Sequence, residues 1–196
     1  MERSVDDARA GKILFVAHCL LNQNAKVRGI ARFPAAVRPI VDLLLDNYIA
    51  IYQMPCPEML YLGAMRWGQV KLQYDSPMFR RHCQRLAEEV LDQLEDYRRC
   101  GYRVPGFLLT DGSPVCGLKK TPVPAEDGKT WGGMVWSLPA QRFADDSGVF
   151  TDVLKDEAAR RNLKDILYLS FPEVDEAGRL EETLKEIKEK IIMLKS

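Results

Sequence analysis

A chain of 196 residues with 28 basic and 28 acidic side chains has the size of one domain around one hydrophobic core, so residues 1–196 are expected to fold as a single unit. Zero formal charge lacks the basic footprint that draws a protein to nucleic acid or an anionic membrane, which leaves small molecules or proteins as partners and the oligomeric state open. The opening MERSVDDARAGK has no apolar leader core and no run nears the ~18 apolar residues of a membrane span, so the expected setting is cytoplasmic, where an odd count of five cysteines points to metal, catalytic or core roles rather than disulfides.

In chain order, KILFVA is short, apolar and rich in branched residues, and reads as a buried strand that runs into His18 and Cys19. Val37, Ile40, Val41, Leu44 and Leu45 follow at helical spacing, with the helix expected to begin near Pro39. YIAIYQMP, residues 48–55, reads as a second strand ending at Cys56. Ser76-Pro77 has the form of an N-cap with proline in the first turn and Gly101 that of a stop, so 77–100 should be a long helix with Phe79, Cys83, Leu86, Val90, Leu94 and Tyr97 on its apolar stripe. GFLLTD is the third strand and runs straight into GSPVCG, residues 112–117.

Residues 118–147 hold prolines and glycines among few periodic apolar positions, and read as a loop with at most a short strand at GMVWS. A helix over 149–162, a strand ILYLSF at 166–171 and a terminal helix at about 179–195 complete the chain. The terminal helix carries Leu180, Leu184, Ile187, Ile191 and Leu194 on one face and Glu/Lys pairs on the other. Strands alternating with helices predict an α/β layered fold with a mainly parallel sheet.

Cys19, Cys56 and Cys116 each follow the carboxyl end of a predicted strand. In a parallel sheet those ends share one edge, where open α/β proteins bind ligands. Cysteine is also a common core filler, and for any one of the three that is the plainer reading; the shared strand-then-turn setting of HCLLN, PCPE and SPVCG is what favours a common site. Cys83 lies on the long helix's apolar stripe and Cys100 at its end, and both read as structural.

The spacing excludes several thiol chemistries. No C-x-x-C redox pair is present. A cysteine phosphatase would place arginine six positions after Cys19, where Ala25 stands and Arg28 is too distant. Structural zinc takes four ligands, and His18, adjacent to Cys19 on an extended chain, points away from it. Three thiolates without a fourth suit an iron–sulfur cluster whose remaining iron is open to a substrate atom, with an electron carrier or sensor, or a metal-free binding domain, as alternatives.

The order CLLN, PCPE, GSPVCG, followed by GVFTDVL at 148–154, resembles the thiouracil desulfidase family, in which CLLG, CPE and SPSCG occur in this order. The resemblance implies a 4Fe-4S cluster ligated by Cys19, Cys56 and Cys116, and removal of sulfur from a thiocarbonyl compound such as a thio-nucleobase without net redox change. It further implies that Glu58 moves protons for the incoming water and that Ser113 contacts substrate. Plain readings exist for both: Pro57-Glu58 is a regular helix start, and Ser113 before Pro114 is a common turn residue. The chain departs from the family pattern at Asn22 and Ala25, where glycine and a further cysteine are usual, and its segment 60–81 lacks the usual Pro/Arg-rich stretch. These departures bear on the substrate pocket, for which Tyr61, Trp67, Trp131 and Trp136 are candidate walls.

Overall fold

The computed structural model describes residues 7–124, 142–172 and 179–193. The first strand, β1 (Ile13–Val16), is buried throughout, as a branched apolar run between two sheet neighbours requires. The chain then turns through α1 (His18–Leu21) and a 3-10 turn at Gln23–Ala25 before α2 (Arg38–Asp46), which carries its proline in the first turn. After β2 (Ala50–Gln53) come two short helices, α3 (Pro57–Leu62) and α4 (Lys71–Tyr74).

The long helix α5 (Pro77–Arg99) starts where Ser76 caps it, its side chain accepting the Phe79 N–H at 3.3 Å, a cap that contributes ~1 kcal/mol. Gly101, at φ 84°, ends it. Its buried residues Phe79, Cys83, Leu86, Ala87, Val90, Leu91 and Leu94 recur at helical spacing, while Tyr97 is half-buried and meets Tyr102 edge to face. Next come β3 (Gly106–Asp111), a short pair β4 (Thr121–Val123) and β5 (Arg142–Ala144), α6 (Val149–Arg160), β6 (Leu167–Pro172) and α7 (Arg179–Met193).

The main sheet has the order β2-β1-β3-β6 and is parallel at every pairing. Its central strands β1 and β3 are buried and its outer strands are partly exposed. The chain leaves β1 toward β2 and later returns past it toward β3 and β6, so right-handed crossovers place α2 on one face and α5 and α6 on the other. The contacts agree: α5 packs on α6, and α2 on α7, whose Ile187 and Ile191 are buried. The architecture is therefore α/β, a parallel sheet between helices.

Two differences from the sequence reading concern weak signals. Segment 118–147 was expected to hold at most a strand at GMVWS, a stretch that lies outside the described residues; instead Thr121–Val123 and Arg142–Ala144 form an antiparallel pair. Three-residue strands, one with Pro122 at its centre, are too short to show an alternating pattern. The single-turn helices α1 and α4 escaped notice for the same reason. No helix among the described residues is long and apolar enough to cross a membrane.

Candidate functional site

The sheet reverses its strand order between β1 and β3, and a crevice opens at such a switch point beyond the carboxyl ends of the strands. Cys19 stands there in α1, Cys56 at the N-cap of α3 just beyond β2, and Cys116 in the loop after β3. The three line one cavity of about 420 Å³, together with Glu58, Ser113 and Arg66. Cys83 and Cys100 do not: Cys83 is buried in the α5 stripe, where burial pushes its thiol up to about 12, and Cys100 is exposed at the helix end.

The loop that presents Cys116 is held from three sides. Gly112 turns the chain at φ 88°, in the left-handed region that favours glycine. Ser113 folds back so that its Oγ accepts the N–H groups of Val115 at 3.2 Å and Cys116 at 3.0 Å, the local bonding that makes serine a turn residue. Asp111 then accepts the N–H groups of Leu118 at 2.9 Å and Lys119 at 2.7 Å through Oδ1, and the Ser170 hydroxyl at 2.6 Å through Oδ2, tying the far side of the loop to β6.

The motif GVFTDVL closes the third side. The first N–H groups of α6 have no partner within the helix, and they donate to the loop instead: Val149 to the Pro114 carbonyl at 3.2 Å and Phe150 to that of Val115 at 2.9 Å. Gly148 passes so close that a Cβ there would lie 2.4 Å from the Val115 carbonyl carbon. Cys19 is fixed differently. Its Sγ shares a hydrogen bond with Thr110 Oγ1 at 3.3 Å, and its carbonyl accepts from buried Gln23 Nε2 at 2.7 Å.

Glu58 and Ser113, the two residues singled out beside the cysteines, meet in this cavity: Ser113 Oγ donates to Glu58 Oε1 at 3.4 Å. The other carboxylate oxygen, Oε2, accepts from Arg66 Nε at 3.1 Å and from the Tyr74 hydroxyl at 3.3 Å. Arg66 is itself buried and donates a further bond to the Ala25 carbonyl at 2.6 Å. Burial works to lower the Arg66 guanidinium, but the neighbouring Glu58 and Cys56 outweigh it and the net shift is upward. Burial, followed by the Glu58 charge, drives the Tyr74 hydroxyl far above its ordinary value, so it serves as a donor.

The thiols repel ionisation in one another's company. Burial pushes Cys116 well above its ordinary value, with Cys56, Cys19 and Glu58 acting in the same direction, and burial and then Glu58 push Cys56 upward. A bound cation reverses this logic, since its positive charge favours thiolates. Among the described residues no three or more His, Cys, Asp or Glu side chains form a group that could hold a metal ion.

Arg66, Tyr74, Thr110 and Gln23 were not singled out in the sequence. Arg66 carried a usable signal, being a lone arginine in the apolar stretch LYLGAMRWGQV eight positions after Glu58; a charge in such a setting calls for a partner. Of the proposed aromatic walls, Tyr61 and Trp67 do not line the cavity, because Tyr61 packs edge-on against Phe79 and Trp67 points outward, 53% exposed. Trp131 and Trp136 lie outside the described residues. Phe143, in β5, is an aromatic lining residue instead.

No family model matches the chain. A solved structure of the 4Fe-4S-dependent thiouracil desulfidase TudS is similar with a TM-score of 0.47 and 19% identity, covering 89% of this chain and 99% of that one. The uncharacterized protein MJ0003 of Methanocaldococcus jannaschii is 37% identical over 111 residues, which make up 56% of this chain and 69% of the relative. On that identity and coverage, the chain belongs to the same family as the M. jannaschii protein.

Proposed function

We propose that the protein removes sulfur from a thiocarbonyl small molecule, such as a thio-nucleobase, by hydrolysis at a 4Fe-4S cluster held by Cys19, Cys56 and Cys116. The observation that carries this reading is the meeting of these three thiols with Glu58 and Ser113 in one cavity at the carboxyl edge of the sheet. The donor set fits the group. Cys19, Cys56 and Cys116 would hold the cluster, and among the described lining residues there is no fourth cysteine and no histidine to close its remaining iron.

When bound, such a cluster supplies an iron without a protein ligand, a Lewis acid for the substrate sulfur. The net change is C=S plus water to C=O plus hydrogen sulfide, with no electrons gained or lost. Glu58 accepts a proton from the attacking water. Arg66 and Tyr74 hold its Oε2 and the Ser113 hydroxyl donates to its Oε1, so that Glu58 and Ser113, both lining the cavity, form the pair that orients water and substrate.

Anaerobic reconstitution followed by iron and sulfide analysis tests the ligand set: ~4 irons per chain are expected, with loss of loading in Cys19→Ser, Cys56→Ser and Cys116→Ser but not in Cys83→Ser. The loaded protein is then assayed for sulfide release from a panel of thio-pyrimidines. A full cluster with no release from any of them would assign an electron carrier or sensor. Failure to bind iron would assign a metal-free binding domain.

A further inference from the structure

Five large apolar side chains stand exposed within the eight residues from Leu60 to Trp67: Leu60 at 60%, Tyr61 at 44%, Leu62 at 43%, Met65 at 90% and Trp67 at 53%. Leu72 at 56% and Met78 at 60% flank them in sequence. At roughly 200 Å² per large side chain, these fractions leave on the order of 600 Å² from the five. The largest apolar patch on a typical monomer is ~300–600 Å², and a standard interface takes ~800 Å² from each partner. The base is firm, since Tyr61 packs on Phe79 with ring centroids 5.2 Å apart, edge to face.

The same stretch has no free charge. From residue 57 to residue 74 the charged residues are Glu58, Arg66 and Lys71. Glu58 and Arg66 pair with each other in the interior, and Lys71, its side chain 15% exposed, is held by Asp146 at 2.7 Å and Asp152 at 3.0 Å. In a two-fold interface a patch meets its own copy, so a net charge on it would face like charge; between residues 59 and 70 the sole charged residue is Arg66, which is buried. A different partner is ordinarily selected by charge complementarity, and the stretch from 59 to 70 offers no exposed charge to complement.

We propose that α3 and the turn through Trp67 form the two-fold interface of a homodimer, with Met65 and Trp67 as its central anchors. Their type and exposure suit that role, as aromatic and methionine side chains are enriched where interfaces are driest. Gly68 and Gln69, which follow directly, line the candidate cavity, so the second copy stands beside its mouth. The proposal does not depend on the desulfidase reading.

Sedimentation velocity from ~1 to ~100 μM should show a species of twice the 22.3 kDa chain mass. Met65→Glu, and Met65→Glu with Trp67→Glu, place charge at the two-fold and should weaken association at least ~100-fold with circular dichroism unchanged. A wild-type chain that stays monomeric at ~100 μM overturns the proposal, as does a dimer that persists in both variants. A monomer that instead adsorbs to neutral phosphatidylcholine vesicles would assign the face to a lipid surface.

Discussion

Glu58 has different company at its two oxygens, and this separates proton transfer from structure. Oε2 accepts from Arg66 and Tyr74, while Oε1 accepts from Ser113. Glu58→Gln keeps the size and most of the hydrogen bonds but cannot take a proton, so turnover should fall ~10²-fold or more with iron content unchanged; sulfide release measured beside iron analysis checks both halves. A variant as active as wild type would return Glu58 to a helix-start role. Cys19, Cys56 and Cys116 stand out in the sequence because each follows a strand and meets a turn, a setting that core positions do not share, whereas Glu58 is implied only by the resemblance that PCPE carries. The sequence marks Arg66 as a charge in need of a partner but does not say which, and it does not mark Tyr74 at all, because both are defined by a bond made across space to one carboxylate.

Among the elements, the loop carrying Cys116 is the one whose support is most concentrated, and Gly148 is its tightest point. An added Cβ would meet the Val115 carbonyl carbon and oxygen at 2.4 Å, backbone that cannot rotate away. Gly148→Ala should therefore cost ~1–3 kcal/mol in urea unfolding and should also reduce iron loading, because relief of the clash moves the residue next to Cys116. Unchanged stability together with unchanged loading would show that the loop does not depend on this contact. The long helices and the strands were legible from periodicity and caps; the β4–β5 pair and the single-turn helices were not, since three or four residues hold less than one full period of any pattern. That the GVFTDVL motif serves the loop before it became visible only with the hydrogen bonds from α6.

For the molecule as a whole, balanced charge conceals a directional dependence on acid. Buried Glu157 of α6 is bonded by Arg161 at 2.8 Å and by Gln84 of α5 at 2.7 Å, and Arg161 also reaches Asp92 at 2.6 Å. The hydrogen bond from Arg161, then that from Gln84, holds the Glu157 carboxyl below its ordinary value of 4.5. A carboxyl depressed in the folded state stabilises fully above its unfolded value, and that contribution is lost as the pH falls through the folded value. Glu157→Gln should thus destabilise by ~1 kcal/mol near neutrality, and the gap to wild type should close below about pH 4.5, as read from urea midpoints across pH. A gap that stays constant down to pH 3 would place the role of Glu157 in packing rather than charge.

The three thiols that share the cavity are 37 and 60 residues apart along the chain, which sets an order of events for whatever bonds them. In an unfolded chain those sulfurs are scattered, and gathering them means closing both loops at an entropic cost. A C-x-x-C pair can grip metal before its domain folds; this trio cannot, since its grip exists only after β1, β2 and β3 have paired in register. On the proposed reading a cluster would enter after folding and would act as a staple across three strands, so the protein loaded with it should resist unfolding in proportion to how tightly it holds its cargo.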